Sequence, residues 1–207
     1  AAWLEAAMGD RRAEVEAIVG HHLAEAHAYR ALLDPLDPGL PALASRAATR
    51  LTAAGRRSMA LGDMRGAAEI LRRCLGLIAA DDPARLELLP DAAKACLEGG
   101  DRPRAAALLV EARRLAEQRG DRRIAAVART HELVIEVWYG APDCDALRRE
   151  ADDLIAALAE LGDDRGLALA WSLVAEIEWY RERASDAAPA NREAIRHAER
   201  AGDRWMR

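Results

Sequence analysis

The side chains able to do chemistry in this 207-residue sequence are few: five histidines, three cysteines, four serines and a single lysine. His21, His22 and His27 fall in one stretch and raise the question of a metal. A shared ion needs ligands on one face, and five residues of helix turn through about 500°, which leaves His22 and His27 poorly aligned. No cysteine or carboxylate completes the set, so no metal is expected. "HELVI" (131–135) carries half of a zinc-protease pattern, but Ile135 stands where the second histidine belongs. Ser45, Ser58, Ser172 and Ser185 lie outside any GxSxG context and have no histidine near them in sequence. Lys94 sits in "DAAKACL" rather than in a phosphate loop, and Cys74, Cys96 and Cys144 show no CxxC spacing. No constellation supports catalysis and no cofactor is implied.

Charge narrows the partners. Thirty basic residues against 35 acidic ones give a formal net charge of −5, whereas a nucleic-acid surface needs a basic field. No apolar run approaches the ~18 residues of a membrane span, so neither nucleic acid nor membrane is an expected partner. Three widely spaced cysteines in alanine-like positions fit small buried thiols in a reducing cytoplasm. The chain opens at Ala1 without Met and stops at Arg207 just past a Gly-Asp, which reads as a piece of a longer protein.

The elements that would hold these residues are helices. Ala and Leu dominate, Phe is absent and β-branched residues are sparse, which are helix-forming preferences. Gly-Asp pairs recur at 9–10, 62–63, 100–101, 120–121, 162–163 and 202–203. A glycine just past a helix takes the left-handed conformation, and the aspartate after it caps the next helix. Spacings of 38 (Gly62 to Gly100), 42 (Gly120 to Gly162) and 40 (Gly162 to Gly202) residues predict antiparallel helix pairs near 43–61 and 64–79, 84–99 and 102–119, 122–139 and 143–161, and 164–182 and 186–201. Pro90 is expected to kink its helix or delay its start. A fifth unit opens at "GDRWMR" and is cut off.

Ahead of these pairs, residues 1–33 form a helical segment whose stripe is Val15, Ile18, His22, Ala26, Tyr29 and Leu33, with His22 packed and His21 and His27 near the surface. "DPLDPGLP" (34–41) places three prolines and a glycine in eight residues, a linker through which helix cannot run. The fold class is all-α: one or two extra helices, then repeats over about 43–79, 84–120, 121–162 and 163–202, with a truncated fifth from 203.

Measured from the internal turns, Gly55 and Ala93 are small residues at a helix crossing, followed by Ala67 and Ala105, then Leu71 and Leu109, then Cys74 and Ala112. This pattern resembles the tetratricopeptide repeat family, and it implies a right-handed superhelix of helix pairs. The later internal turns, "GAPDCD" and "RASDAAP", lack Gly-Asp, and Asn191 stands where a large apolar residue is wanted. A narrower resemblance covers most of the chain. "EVEAIVGHHLAEAHAYRALLDPLD", "RAATRLTAAGRRSMALGDMRGAAEILRRCLGL" and "DDPARLELLPDAAKACLEGGDRPRAAALL" are similar to the region behind the ATPase module in bacterial cyclase–ATPase (STAND)–tetratricopeptide signalling proteins, and to tails of LuxR-type activators.

That resemblance implies a non-catalytic interaction and regulatory module, cytoplasmic, binding a protein or peptide or its own ATPase module on a concave groove lined by the first helix of each pair. The alternative is a structural segment that mediates homo-oligomerisation. Arg56, Lys94, Thr130, Trp138, Trp171 and Trp179 are the candidate groove residues. Of the family's clamp positions, Thr52, Arg56, Pro90, Lys94, Thr130 and Val134, only Arg56 and Lys94 are basic, so a carboxylate clamp is not expected. Trp138-Tyr139 and Trp179-Tyr180 lie 41 residues apart at matching places, with Trp171 eight residues before Trp179. Their rings either line the groove or fill the interior in place of the absent Phe, the commoner fate of Trp.

Overall fold

Gly62, Gly100, Gly120, Gly162 and Gly202 take φ between 66° and 94°, a region that costs a residue bearing a Cβ about 1–2 kcal/mol. At the first four, the glycine N–H donates to the carbonyl three residues back and the aspartate N–H to the one five back: Gly62 to Met59 and Asp63 to Ser58, Gly162 to Ala159 and Asp163 to Leu158. The helix is closed by its own last carbonyls. Asp63, Asp121 and Asp163 then accept the N–H of Gly66, Ile124 and Gly166 at 2.9–3.0 Å and start the next helix. Stop and start are one device centred on two adjacent residues.

The computed structural model of the protein describes residues 12–141 and 143–202, and these hold nine α-helices and no strand. They are α1 (Arg12–Leu33), α2 (Leu40–Ala60), α3 (Met64–Leu75), α4 (Pro83–Gly99), α5 (Arg102–Arg119), α6 (Arg122–Tyr139), α7 (Cys144–Glu160), α8 (Asp164–Tyr180) and α9 (Ala184–Arg200). Gly9-Asp10, the Val15 side chain and the fifth unit from residue 203 lie outside the described residues.

The paired helices fall where the glycine spacing puts them, with two differences. α3 stops at Leu75 rather than near 79, because Gly76 follows and Arg85 donates to the Leu75 and Ile78 carbonyls at 2.8 and 3.4 Å. Pro90 does not delay α4: the helix starts at Pro83, capped by Asp82, and Pro90 lies buried within it.

The chain divides into two compact units, Ala1–Asp101 and Arg102–Arg207. In the first, α1 packs on α2, α2 on α3 and α3 on α4, and α2 also touches α4. The 34–39 segment is a tight, ordered turn in which Asp34 and Asp37 accept the N–H of Leu36 and Gly39, and Arg30 pairs with Asp37 at 2.6 Å. The α1 stripe differs from the expected one. Val19, Leu23 and Ala24 are buried, while Ile18, His22, Tyr29 and Leu33 are exposed and His27 is half-buried. The cause is Gly20: a Cβ there would lie 2.9 Å from Leu51 Cδ2, so the two helices meet at this glycine and the docking face turns with it.

In the second unit α5 packs on α6, α6 on both α7 and α8, α7 on α8, and α8 on α9. The seams are small-and-large in alternation: Ala67, Leu71 and Cys74 on α3, and Ala105, Leu109 and Ala112 on α5, are all fully buried. α9 differs, because Asn191 is exposed and the seam is Ala187, Ala190, Ala194 and Ala198. Its preceding turn also lacks glycine. Glu182 occupies the left-handed position with φ 61°, and Arg183 caps α9 without a side-chain bond. At the other irregular turn Gly140 is not left-handed, but Asp143 accepts from Asp145 and Ala146 and starts α7 as the other aspartates do.

Candidate functional site

In the first unit a groove of about 700 Å³ runs between α2 and α4, roofed by the 77–79 turn. Small side chains of α2 make its floor: Ala44, Ala48 and Ala53, with the hydroxyls of Ser45, Thr49 and Thr52 between them. Ridges of Ala and Ser leave room where larger residues would have closed the helices together. Thr52 Oγ1 lies 3.3 Å from Cys74 Sγ, which also donates to the Ala48 carbonyl at 3.3 Å; burial pushes this thiol up and leaves it a packing group.

Arg56 stands at one end of the groove, its side chain 49% exposed. Its Nε–H donates at 2.8 Å to Asp91 Oδ2, a carboxylate buried on α4. The bond fixes the guanidinium plane and ties the first helix of one hairpin to the first helix of the next. Lys94, one turn beyond Asp91, is largely buried, with Nζ 3.8 Å from the Glu98 carboxylate. Burial pushes the Glu98 carboxyl above its ordinary range, and Lys94 opposes that. The structure therefore brings Arg56 to the groove and holds Lys94 in a pair along its own helix.

The other candidates belong to the second unit. Thr130 is fully buried and its hydroxyl donates to the Ala126 carbonyl at 2.9 Å, so it packs α6 and presents nothing to a partner. Trp171 is half-buried against the core formed by Leu133, Val137, Leu173 and Ile177. Trp138 and Trp179 are 57% and 66% exposed, and Tyr139 and Tyr180 beside them are 57% and 51%. The interior is filled instead by Leu and Ile, and these four rings stand on the surface at the C-terminal ends of α6 and α8. Trp138 Nε1–H donates to Glu176 Oε2 at 2.8 Å, and the Arg102 guanidinium lies 4.6 Å above the Tyr139 ring.

Charged groups also clamp the helices of this unit. Arg129 on α6 reaches Glu150 on α7 at 2.6 Å, and Glu132 and Glu136 along its own helix, while Arg113 on α5 approaches Glu132 at 3.3 Å. Arg129 is pushed up by these carboxylates, the Glu150 bond foremost, and Glu150 is pulled below its ordinary range by Arg129. Buried Glu178 accepts from Arg181, which also reaches Asp145. Pairs of this kind fix which helix faces meet more than they add net stability.

His21 and His22 sit on the exposed side of α1, and His131 is buried in α6. Among the described residues no three His, Cys, Asp or Glu side chains gather as a metal would need, and no helix is long and apolar enough to cross a membrane. Cys74 and Cys96 are buried as their alanine-like positions suggest, whereas Cys144 is half-exposed at the start of α7. Asp91, Glu176 and Arg102 were not legible as site residues. Each acts through a partner 35 to 38 residues away, Arg56, Trp138 and Tyr139, and no local spacing marks such a pairing. No protein-family model matches the chain, and no curated protein matches it.

Proposed function

We propose that the chain is a non-catalytic helical-repeat module that binds a protein or peptide partner across the first helices of its hairpins. The observation that carries this is the groove between α2 and α4, whose volume of about 700 Å³ suits a bound side-chain cluster or short segment. Its floor of small side chains and its fixed guanidinium at Arg56 offer shape and one directed polar contact. The contacts within each unit add support: α2 touches α4, and α6 touches α8, as stacked hairpins require. The sequence resemblance to tetratricopeptide repeats implies a right-handed superhelix for hairpins of this kind.

The sequence resemblance supports a place for the module in a larger bacterial signalling protein, behind an ATPase, where partner binding would bias the attached enzyme. A photo-crosslinking residue at Ala53 in the groove, expressed in cells, should give one discrete adduct, and the same residue at exposed Val110 on α5 should not. Equal labelling from both positions would remove the groove from consideration.

A second reading, self-association, is favoured by one observation. Leu32, Leu33 and Leu36 are 81–89% exposed at the end of α1 and in the turn after it, a density of bare leucine that ordinary surfaces avoid. Sedimentation velocity over a hundredfold concentration range, with Leu32→Glu as the comparison, reads this directly.

A further inference from the structure

We propose that the aromatic face of the second unit receives arginine or lysine side chains of a protein partner, with Glu176 as their counter-charge. This rests on the reading of the chain as an interaction module and adds the chemistry of what it binds.

Single exposed aromatics are ordinary, but two matched pairs at the ends of two packed helices are not. Trp138 is not loose. Its indole N–H is held at 2.8 Å by Glu176 of α8, so the ring is fixed across the two helices while more than half of it stays in solvent. Glu176 lies one turn before Trp179, on the same side of α8. The carboxylate thereby holds one indole and lies one helical turn from a second, and indole is the most favourable ring for a cation.

The molecule itself supplies the precedent. Arg102 seats its guanidinium over Tyr139 at 4.6 Å. Tyr180, the matching ring 41 residues later, is 51% exposed. The position that corresponds to Arg102, the first residue of the helix preceding the ring-bearing one, is Cys144 at the start of α7, and Asp145 follows it. The α7–α8 pair repeats the ring without a cation at that position.

Charge points the same way. α6 and α8 both end at this face, and helix C-termini carry the negative end of the dipole. Glu136, paired with Arg129, and Glu176 lie near these two ends, and Glu182 just past α8. Of the basic residues, Arg102 is stacked on Tyr139, Arg181 is largely buried between Glu178 and Asp145, Arg148 reaches Asp152 and Glu178, and Arg183 is exposed.

The test uses the full chain and two fluorescent helical peptides of one sequence, the first with arginine at three exposed positions and the second with citrulline, its neutral isostere, at the same three. Fluorescence anisotropy should show saturable binding of the arginine peptide and at least tenfold weaker binding of the citrulline one. Glu176→Gln and Trp179→Ala should each weaken the arginine peptide at least fivefold, and Val110→Ala should change nothing. Circular dichroism melts of the variants keep lost binding distinct from lost folding. Equal affinity for both peptides, with loss in Trp179→Ala, would make the face an apolar site: the cation assignment falls and the module reading stands. Binding of neither peptide also overturns the proposal, while the α2–α4 groove is tested separately. So does self-association of the chain that Trp179→Ala abolishes, which would make the occupant a second copy.

Discussion

Gly55 of α2 and Leu71 of α3 occupy one space: a Cβ on residue 55 would lie 2.5 Å from Leu71 Cδ2 and 2.7 Å from its Cγ. The first hairpin closes at this crossing because one side has no side chain and the other fills the gap completely. Gly55→Ala gains about 1 kcal/mol of helix propensity but must move a fully buried leucine, an overpacking that costs about 1–3 kcal/mol. The expected net effect is a loss of about 1 kcal/mol, read from the urea midpoint. In a Leu71→Ala background, itself costing about 2–5 kcal/mol, Gly55→Ala should become neutral or stabilising. Additive losses in the double variant would mean that the two residues do not meet.

The turn at Glu182 offers a stabilising change. It holds φ 61° without the glycine that its counterparts use. Glu182→Gly should raise stability by up to about 1 kcal/mol, whereas Gly162→Ala, at φ +66° with open space around its Cβ, should lower it by about 1–2 kcal/mol through backbone strain alone. Thermal melts of the two variants moving in the same direction would refute the shared turn geometry.

Two carboxylates make opposite contributions with pH. Glu150 is pulled down by Arg129, so below the ordinary carboxylate range the unfolded chain takes up its proton first. Its stabilisation is present above that range and is lost as pH falls through the lowered value. Glu98 is pushed up by burial, so the folded state keeps its proton longer, and that contribution is present at low pH and lost as pH rises through the raised value. Chemical denaturation at pH 3.5 and pH 7 should show Glu150→Gln costing more at pH 7, and Glu98→Gln comparing more favourably with the parent at pH 7 than at pH 3.5. The same sign for both variants would contradict the assignment.

The aspartate caps should be comparable in strength. Asp163→Ala removes the acceptor of the Gly166 N–H and should cost about 1 kcal/mol, with Asp163→Asn recovering most of it. A loss that Asn does not recover would place the role of Asp163 outside capping.

Helix boundaries were legible because Gly-Asp couples a backbone need to a side-chain acceptor within two adjacent residues, so local sequence contains the whole device. The seam from Ala105 to Ala112 was legible for the same reason, since its spacing is that of one helix. The face of α1 was not, because Gly20 against Leu51 decides it, and a glycine reads as no side chain until its neighbour is known. The exposure of Trp138 and Trp179 depends on the core volume: Leu133, Val137, Leu173 and Ile177 fill it, Trp171 packs against it half-buried, and the other two rings are left outside. Arg56 was found by type, but the Asp91 that orients it lies 35 residues on, beyond any periodicity.

The central claim is that the α2–α4 groove is where a partner sits. The measurement is the yield of the Ala53 photo-adduct with and without Thr49→Trp, a change at an exposed lining position that fills the groove and spares the core. A fall of tenfold or more at unchanged thermal stability is the result expected. An unchanged yield, with the groove blocked and the fold intact, would contradict the claim.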